Sequence, residues 1–449
     1  MSDLVTTRIF TDGEKGITAA KLNDIVASST IQTDFVATKP VASTMDPADN
    51  LLVLKSSGQY AKAPFQTIVD SVNTQLPSND AEIWSVRLRS FNAAGNPNFE
   101  CCQRNVSTTI TGPTVNTFIE DRWSTNKAAT ATLGYSIGRV TTTTVPSGGV
   151  LVPGTNFAVS NSMMRVTLTT AQATLAGGDY LRLLHNIEGS VFRELMSDVF
   201  SISLLVRSSV SNLKFGVSIV SADSGKSLTK LCTIPAANTW TLITLPNCAI
   251  WPAGGVFNVA PGSLGCFIEI CLAAGATNTA PAADTWQNAH FMMPPGASNF
   301  ANSAVNSTYD LGFLQIEPGA VCSTLMDKPF SQNLDECLRY YCKSYGYGVA
   351  PGTTGSNGFL CVAQPIVNWG SIYCHIPFKK VMSKAPNVIA YSMTTGAPNT
   401  VRDNTNSVDR ATIGALAVQD GCFGGMNITG QVTTGNPVYY FHYTADTGW

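Results

Sequence analysis

The chain has 449 residues and a formal net charge of −2, with 44% hydrophobic and 12% charged residues. This length predicts about two to four domains that contain real hydrophobic cores. Because the charged fraction is about half the usual share, Ser, Thr, Asn, Gln and Gly must form most of the polar surface, which favours short strands and turns over long charged helices. The balance of charge also supplies no basic field, so binding to nucleic acid is disfavoured.

The N-terminal sequence lacks a basic stretch followed by an apolar core, and no segment approaches the roughly 18 apolar residues needed to cross a bilayer. The sequence therefore predicts a protein that is made in a cytosol and does not insert into a membrane. Its twelve cysteines are scattered, with Cys101 and Cys102 adjacent, which favours small buried apolar residues over a disulfide framework. Four distant histidines and the absence of a C-x-x-C pair predict no metal site and no other cofactor.

Residues 1–83 differ in pattern from the rest of the chain. The spacing predicts a helix capped by Thr18, a short strand over residues 51–54 and a second helix that begins at Pro64. These pieces bury little surface alone, so they need a partner or copies of themselves. An ordinary α/β subdomain is the alternative interpretation, and residues 75–80 have the composition of a linker.

From residue 84 to 325 the pattern is all β. Strand-like runs such as residues 164–168, 200–206 and 215–220 are separated by Gly, Pro, Asn and Ser, without intervening helices. Regular short strands of this kind predict a sandwich or jelly roll. No repeat of 20 to 50 residues is present, which argues against a β-solenoid or propeller.

One short helix is predicted between two long β regions. A strand ends at Glu317-Pro318-Gly319, and the period then changes to that of a helix. The apolar face of this helix is formed by Phe330, Leu334, Cys337, Leu338 and Tyr341. We expect Leu338 to pack under a β-sandwich of residues 326–449, whereas Arg339, about 100° away, matters only if it is paired across an interface.

The sequence contains stretches that resemble known catalytic or ligand-binding motifs, but most of them lack a residue that the motif requires at a fixed position. The stretch from Ser224 to Ser227 ends like a phosphate-binding loop, but Val220 stands where that loop requires glycine. Residues 403–407 are rich in oxygen ligands yet lack the acidic pattern of a calcium loop, so a solvated turn is favoured. Glu188 and Glu194 are candidates for a glycan-cleaving pair by residue type only.

Sugar binding uses aromatic faces against pyranose rings, with amides and carboxylates to hold the hydroxyl groups. Trp251, Trp286 and Trp369 lie among Pro, Gly or Asn residues that indicate loops, and they are the candidate ligand-binding tryptophans. Tyr345 and Tyr347 follow the predicted helix as a flexible aromatic loop, which could equally pack on the helix end. We expect Trp123 and Trp240 to be core residues.

Several ordered motifs resemble the tail fibres and receptor-binding proteins of tailed bacteriophages, whose jelly roll is similar to carbohydrate-binding modules. The leading segments are FTDGEKGITAAKLN (residues 10–23) and DPADNLLVLKSSG (residues 46–58). The jelly-roll landmarks are NPNFE (96–100), QR (103–104), IEDRW (119–123), NIEG (186–189), FSISLLVRS (200–208) and NTWT (238–241). The C-terminal ones are QIEPG (315–319), PF (329–330), CLRYY (337–341), HIPF (375–378), Met382 with KAPNV (384–388) and YYFHYTAD (439–446). Two departures are the Cys101-Cys102 pair in place of an apolar-aromatic pair and the Asn after Arg104 in place of Gly.

The resemblance implies a mainly β protein with a small α/β virion-docking region (1–83), a jelly-roll β-sandwich (84–325) and a C-terminal β-sandwich tip (326–449). It implies a non-enzymatic fibre of the virion tail that is assembled in the host cytoplasm and attaches to a host cell-surface glycan or other receptor. A homotrimer and contacts between the N-terminal region and other tail or adaptor proteins of the virion are the implied partners. The alternatives are a head fibre or architectural tail protein that binds other virion proteins, and a glycan depolymerase.

Overall fold

The computed structural model describes residues 50–54, 60–64, 91–106, 109–113, 116–128, 130–141, 150–155, 158–196, 199–248, 251–363, 371–372, 375–418, 422–429 and 436–449. By their internal contacts the residues form two compact units, Met1–Arg87 and Leu88–Trp449. The domain boundaries that we placed after residues 83 and 325 stay predictions.

The first unit contains an antiparallel hairpin of β1 (Asn50–Leu54) and β2 (Tyr60–Pro64). The strand predicted over residues 51–54 is therefore confirmed. Pro64 is the last residue of β2, and the predicted helix after it, like the one capped by Thr18, lies outside the described residues.

The sequence predicted no helix between the strands of the next region, but its described residues include one short α-helix among the strands. In chain order the strands and this helix are β3 (Ile110–Thr111), β4 (Thr117–Glu120), β5 (Trp123–Lys127), β6 (Gly134–Thr141), β7 (Val150–Leu151), β8 (Ala158–Ser160), β9 (Ser162–Thr170), β10 (Tyr180–Glu188), α1 (Gly189–Leu195), β11 (Phe200–Ser208), β12 (Leu213–Ser221), β13 (Ser227–Ile234), β14 (Thr241–Leu245), β15 (Leu264–Ala274), β16 (Trp286–Gln287) and β17 (Thr308–Pro318). β7 and β8 form a separate two-stranded sheet among the described strands.

Two antiparallel sheets pack face to face around the first core. One has seven strands in the order β16-β13-β12-β15-β10-β5-β4, and the other has six in the order β14-β11-β17-β9-β6-β3. Alternate residues of each strand point into the core, as Leu181, Leu183 and Ile187 do in β10, because side chains alternate between the faces of a strand. Neighbouring strands are mostly not consecutive in the chain, and the predicted mainly β fold with a jelly-roll sandwich is confirmed.

The C-terminal region has a second core and a sheet of its own. Its elements are α2 (Phe330–Leu338), β18 (Tyr341–Lys343), β19 (Leu360–Ala363), β20 (Ser371–Ile372), β21 (Ile376–Pro377), β22 (Asn387–Ser392), β23 (Thr400–Asp403), β24 (Val408–Val418), β25 (Cys422–Ile428) and β26 (Val438–Asp446). β26 pairs with β18, β19, β22 and β23, so it organises the sheet. Met382 is fully buried before the strand that follows Pro386, which fits the resemblance of this segment to a buried Met before a Pro-started strand.

The helix α2 forms where it was predicted, but its buried face differs from the predicted one. Asn333 and Cys337 are its buried residues, whereas Phe330 is 42% exposed. The amide of Asn333 donates to Asn98 Oδ1 at 3.0 Å, so a buried hydrogen bond to the jelly roll sets the orientation of the helix. Leu338 is partly buried against the second core, in line with the expectation for that residue.

Polar and charged side chains join the two cores. Glu188 binds Arg339 and Asn98 binds Asn333 through their side chains. The ammonium groups of Lys343 and Lys328 donate to the backbone carbonyls of Gln103 and Asn92. Many landmarks of the resemblance meet at this joint because they supply its buried hydrogen bonds. Cys101 and Cys102, which stand in place of an apolar-aromatic pair, are both buried, as small apolar residues are expected to be.

Candidate functional site

Trp251 is held at the edge of the first core by aromatic contacts. Its ring stacks on Phe200 with centroids 4.6 Å apart and planes at 14°, and it meets Phe192 edge-on at 4.6 Å. The indole Nε1 donates to the carbonyl oxygen of Leu195, at the end of α1, at 2.9 Å. One face of Trp251 is therefore covered, and its position is fixed by both packing and a hydrogen bond.

Trp286 lies next to Trp251, although 35 residues separate them in the chain. It belongs to the edge strand β16, where it pairs with Leu228 of β13. Its ring centroid is 5.8 Å from that of Trp251 and 5.9 Å from that of Phe257. All three rings are half-buried and pack against the first core. We call Trp251, Phe257 and Trp286 the aromatic patch.

The loop that carries Phe257 depends on glycine. Gly254 and Gly255 both have φ of +80°, a conformation that other residues rarely adopt. A Cβ on Gly255 would lie 2.7 Å from Lys226 Cγ and 3.2 Å from Phe257 Cε2, so the glycine lets the lysine stem approach the aromatic patch. The backbone N–H of Ala222 donates to the carbonyl of Val256 at 2.9 Å and fastens the loop to the β12–β13 turn.

The aromatic patch has a polar rim. Lys226 Nζ donates to Asn288 Oδ1 at 2.5 Å, and Asn288 follows β16 directly. Lys230 is paired with Asp284 at 2.8 Å. Rings beside amide and ammonium groups are the combination that holds a pyranose: stacking on the ring and hydrogen bonds to its hydroxyl groups.

Sequence reasoning placed Trp251 and Trp286 among the candidates but missed Phe257, Lys226 and Asn288. The two glycines before Phe257 were a signal for a loop aromatic. Lys226 stood in the stretch weighed as a phosphate loop, which the structure shows to be the turn between β12 and β13. Asn288 had no local signal, because its role comes from a contact 62 residues away.

The other aromatic candidates are placed differently. Tyr345 is 2% exposed and stacks on His442 with centroids 3.9 Å apart, so it lies in the core and not on a flexible loop. The hydroxyl of Tyr347 accepts from the N–H of Cys102 at 2.9 Å and donates to the carbonyl of Glu100 at 2.8 Å, which anchors it at the joint. Its ring also meets Phe330 edge-on, so it packs on the start of α2. Trp369 lies outside the described residues.

Trp123 is a core residue, as expected, whereas Trp240 is only partly buried. Trp123 is fully buried, and its Nε1 donates to the carbonyl of Asn96 at 3.1 Å. Trp240 is half-buried beside a small core cluster, with the guanidinium of Arg207 4.8 Å from its ring centroid.

The two candidate carboxylates are in unlike environments. Glu188 is 1% exposed and accepts hydrogen bonds from Arg339, from the Tyr340 hydroxyl at 2.6 Å and from the N–H of Gly262 at 2.7 Å. Burial by itself would raise the pKa of Glu188, but these donors outweigh it and hold the pKa below its ordinary value. Glu194 lies exposed on α1 beside Arg193. An ionised carboxylate with three donors cannot supply a proton as a general acid near neutral pH.

A buried charged cluster on the seven-stranded sheet had no sequence signal. Glu269 is fully buried, forms an ion pair with Arg182, and lies 3.0 Å from His290 Nε2. These residues come from β15, β10 and the segment after β16, so the cluster fastens that segment across the sheet.

Among the described residues, no group of three or more His, Cys, Asp or Glu side chains is arranged to hold a metal ion. In the same part of the chain, no helix is long and apolar enough to span a membrane.

No protein-family model matches the chain, and no curated protein matches it. Among solved structures it is similar to TmCBM61 in complex with β-1,4-galactotriose, with 9% identity, a TM-score of 0.25, and coverage of 50% of this chain and 97% of that one. A family 11 carbohydrate-binding module from Clostridium thermocellum has 12% identity and a TM-score of 0.23, over 48% and 98% of the two chains. The enzymatically active domain of tailspike protein 4 from bacteriophage CBA120 has 11% identity and a TM-score of 0.24, over 51% and 21%. At these scores the likenesses carry no argument about function.

Proposed function

We propose that this protein binds a cell-surface glycan through the aromatic patch, without cleaving it. The observation that carries the proposal is the meeting of three half-buried rings with Lys226 and Asn288 on one edge of the sandwich. The rings offer stacking surface to a pyranose, and the amide and ammonium groups offer donors and an acceptor for its hydroxyl groups. Binding without cleavage is supported by Glu188, whose carboxylate is held by three structural donors.

The resemblance of the ordered motifs extends the proposal to a fibre of a tailed-bacteriophage virion that attaches to the host. In such a fibre, weak contacts to single sugars would be multiplied by several copies on one particle, because later contacts become effectively intramolecular. A homotrimer and docking through residues 1–83 belong to this proposal. A chain without residues 1–83 should then bind cells but be missing from particles. Its normal incorporation would favour another anchor.

The test of glycan binding is a comparison of variants on a polysaccharide array and on whole bacterial cells. Trp286→Ala and Phe257→Ala remove stacking surface, and each should weaken binding about two- to tenfold, since stacking of this kind is worth about 0.5 to 1.5 kcal/mol. Phe330→Ala is the matched control, because Phe330 is also an exposed aromatic residue but lies on α2. Unchanged binding by both patch variants would overturn the assignment of the patch.

The same samples separate the alternatives. Release of reducing sugar from a bound polysaccharide would identify a depolymerase. Binding to purified virion proteins in the absence of any binding to cells or glycans would favour the head fibre or architectural tail protein.

A further inference from the structure

The ammonium group of Lys226 is held beside the aromatic patch with donor capacity to spare. Its one described hydrogen bond goes to Asn288 Oδ1, and an ammonium group has three donors. In the part of the chain that the structure describes, no carboxylate lies within 4 Å of Lys226, although Lys230 on the adjoining strand is paired with Asp284. Two N–H donors of this positively charged ammonium group therefore remain at the rim of the aromatic patch.

The nearest acidic residue in the sequence is occupied by its own turn. The carboxylate of Asp223 accepts from Ser221 Oγ at 2.6 Å and from the N–H of Gly225 at 3.0 Å. The hydrogen bond from Ser221 and those from backbone N–H groups lower the pKa of Asp223, so this carboxylate stays ionised while it holds the turn together. Asp223 thereby fixes the turn from which Lys226 projects.

Space beside the ammonium group is kept open by glycine. A Cβ on Gly254 would be 3.9 Å from Lys226 Nζ, and the exposed Gly254 and Gly255 carry no side chain that could cover it. A single Cβ position on Gly255 would lie close to both the Lys226 stem and the Phe257 ring, so the lysine stem adjoins the aromatic patch. A sugar ring that rests on the aromatic patch can thus bring a substituent to within reach of Lys226.

From this arrangement we infer that the aromatic patch selects anionic sugars, with Lys226 Nζ facing a carboxylate, or another charged oxygen group, on the pyranose. The inference rests on the proposed glycan binding and names its substrate class. A neutral sugar would leave the positive charge without a partner, whereas an acidic one forms a charge-assisted hydrogen bond, about twice as strong as a neutral one. Selectivity for anionic glycans over neutral ones follows from that difference.

The experiment uses the full chain on an array of bacterial polysaccharides that contain uronic acids, together with the same polysaccharides after chemical reduction of their carboxyl groups. Sulfated and phosphorylated glycans form a further arm, which distinguishes the source of the charge. The variants are Lys226→Gln, Lys226→Arg and the control Lys214→Gln, which removes an exposed charge from β12 of the same sheet. Binding is measured at low and high salt.

We expect the wild type to bind the acidic polysaccharides more strongly than their reduced forms. Lys226→Gln should lower the affinity for the acidic polysaccharides about tenfold to hundredfold. Lys226→Arg should retain most of the affinity for the acidic polysaccharides, and Lys214→Gln should leave that affinity unchanged. High salt should weaken this binding. Equal binding of acidic and reduced glycans, unaffected by Lys226→Gln but weakened by Trp286→Ala, would overturn the inference and leave the proposed function standing. Absence of binding to every glycan would overturn both.

Discussion

The carboxylate of Glu188 and the guanidinium of Arg339 form a two-point ion pair, with N–O distances of 2.9 and 2.6 Å, across 151 residues of sequence. Glu188 ends the strand β10 of the jelly roll, and Arg339 follows the helix α2. Tyr340, which also donates to Glu188, lies with its ring under Arg122, 3.6 Å from the guanidinium carbon. The joint between the two cores is therefore polar and specific in geometry.

Replacement of Arg339 by Ala should destabilise the protein by about 3 to 5 kcal/mol, because it leaves the buried charge of Glu188 without its main partner. The sequence alone indicated a small effect unless the residue was paired across an interface, and the structure supplies that pair. Denaturant unfolding of the full chain measures the change. Arg193→Ala is the control, since its ion pair with Glu194 is exposed on both sides and should contribute less than about 1 kcal/mol. Equal effects of the two substitutions would contradict the role of the joint.

The contribution of Glu188 should depend on pH in a defined direction. Its pKa in the folded protein is below the ordinary value of about 4.3, so its stabilising effect is present above that value and is lost as the pH falls through the folded pKa. The melting temperatures of the wild type and of Glu188→Gln, measured from pH 7 to pH 3, should differ at neutral pH and approach each other below about pH 4. Parallel curves over this range would show that Glu188 is not the titrating group.

Leu338→Ala should loosen the second core by about 1 to 3 kcal/mol, toward the lower end of core truncations because Leu338 is only partly buried. Since the first core shares no residue with the second, we expect faster proteolysis after residue 326 while a fragment up to residue 325 survives. Limited proteolysis followed by mass spectrometry gives the result. Simultaneous cleavage in both regions would mean that the polar joint makes them unfold as one unit.

The two tryptophans of the aromatic patch should differ in their effect on stability. Trp251→Ala removes a ring stacked on Phe200 and a hydrogen bond to Leu195, so we expect a loss of about 3 kcal/mol or more. Trp286→Ala, in the two-residue edge strand β16, should lower the free energy of unfolding by less than Trp251→Ala does. Thermal unfolding of both variants tests this. A larger loss for Trp286→Ala would mean that it, and not Trp251, anchors the patch.

The strand pattern and the change of period near residue 330 were enough to predict a mainly β protein with a helix between two β regions. This worked because alternation of apolar residues and helical spacing are local properties of the backbone. The buried positions of Trp123 and Met382 were implied by the resemblance of the ordered motifs, and the structure buries both. The sequence also singled out Trp251 and Trp286, although the loop predicted at Trp286 is in fact the short strand β16.

What tertiary structure decided was which distant residues meet. Trp286 reaches Trp251 only because β16 pairs with β13, and Lys226 reaches Asn288 through the same pairing. Tyr345 has the local sequence of an exposed loop, yet His442 covers its ring from a strand almost a hundred residues later. In an antiparallel sandwich most neighbours are non-consecutive strands, so contacts of this kind depend on strand order and register, and no local period encodes either.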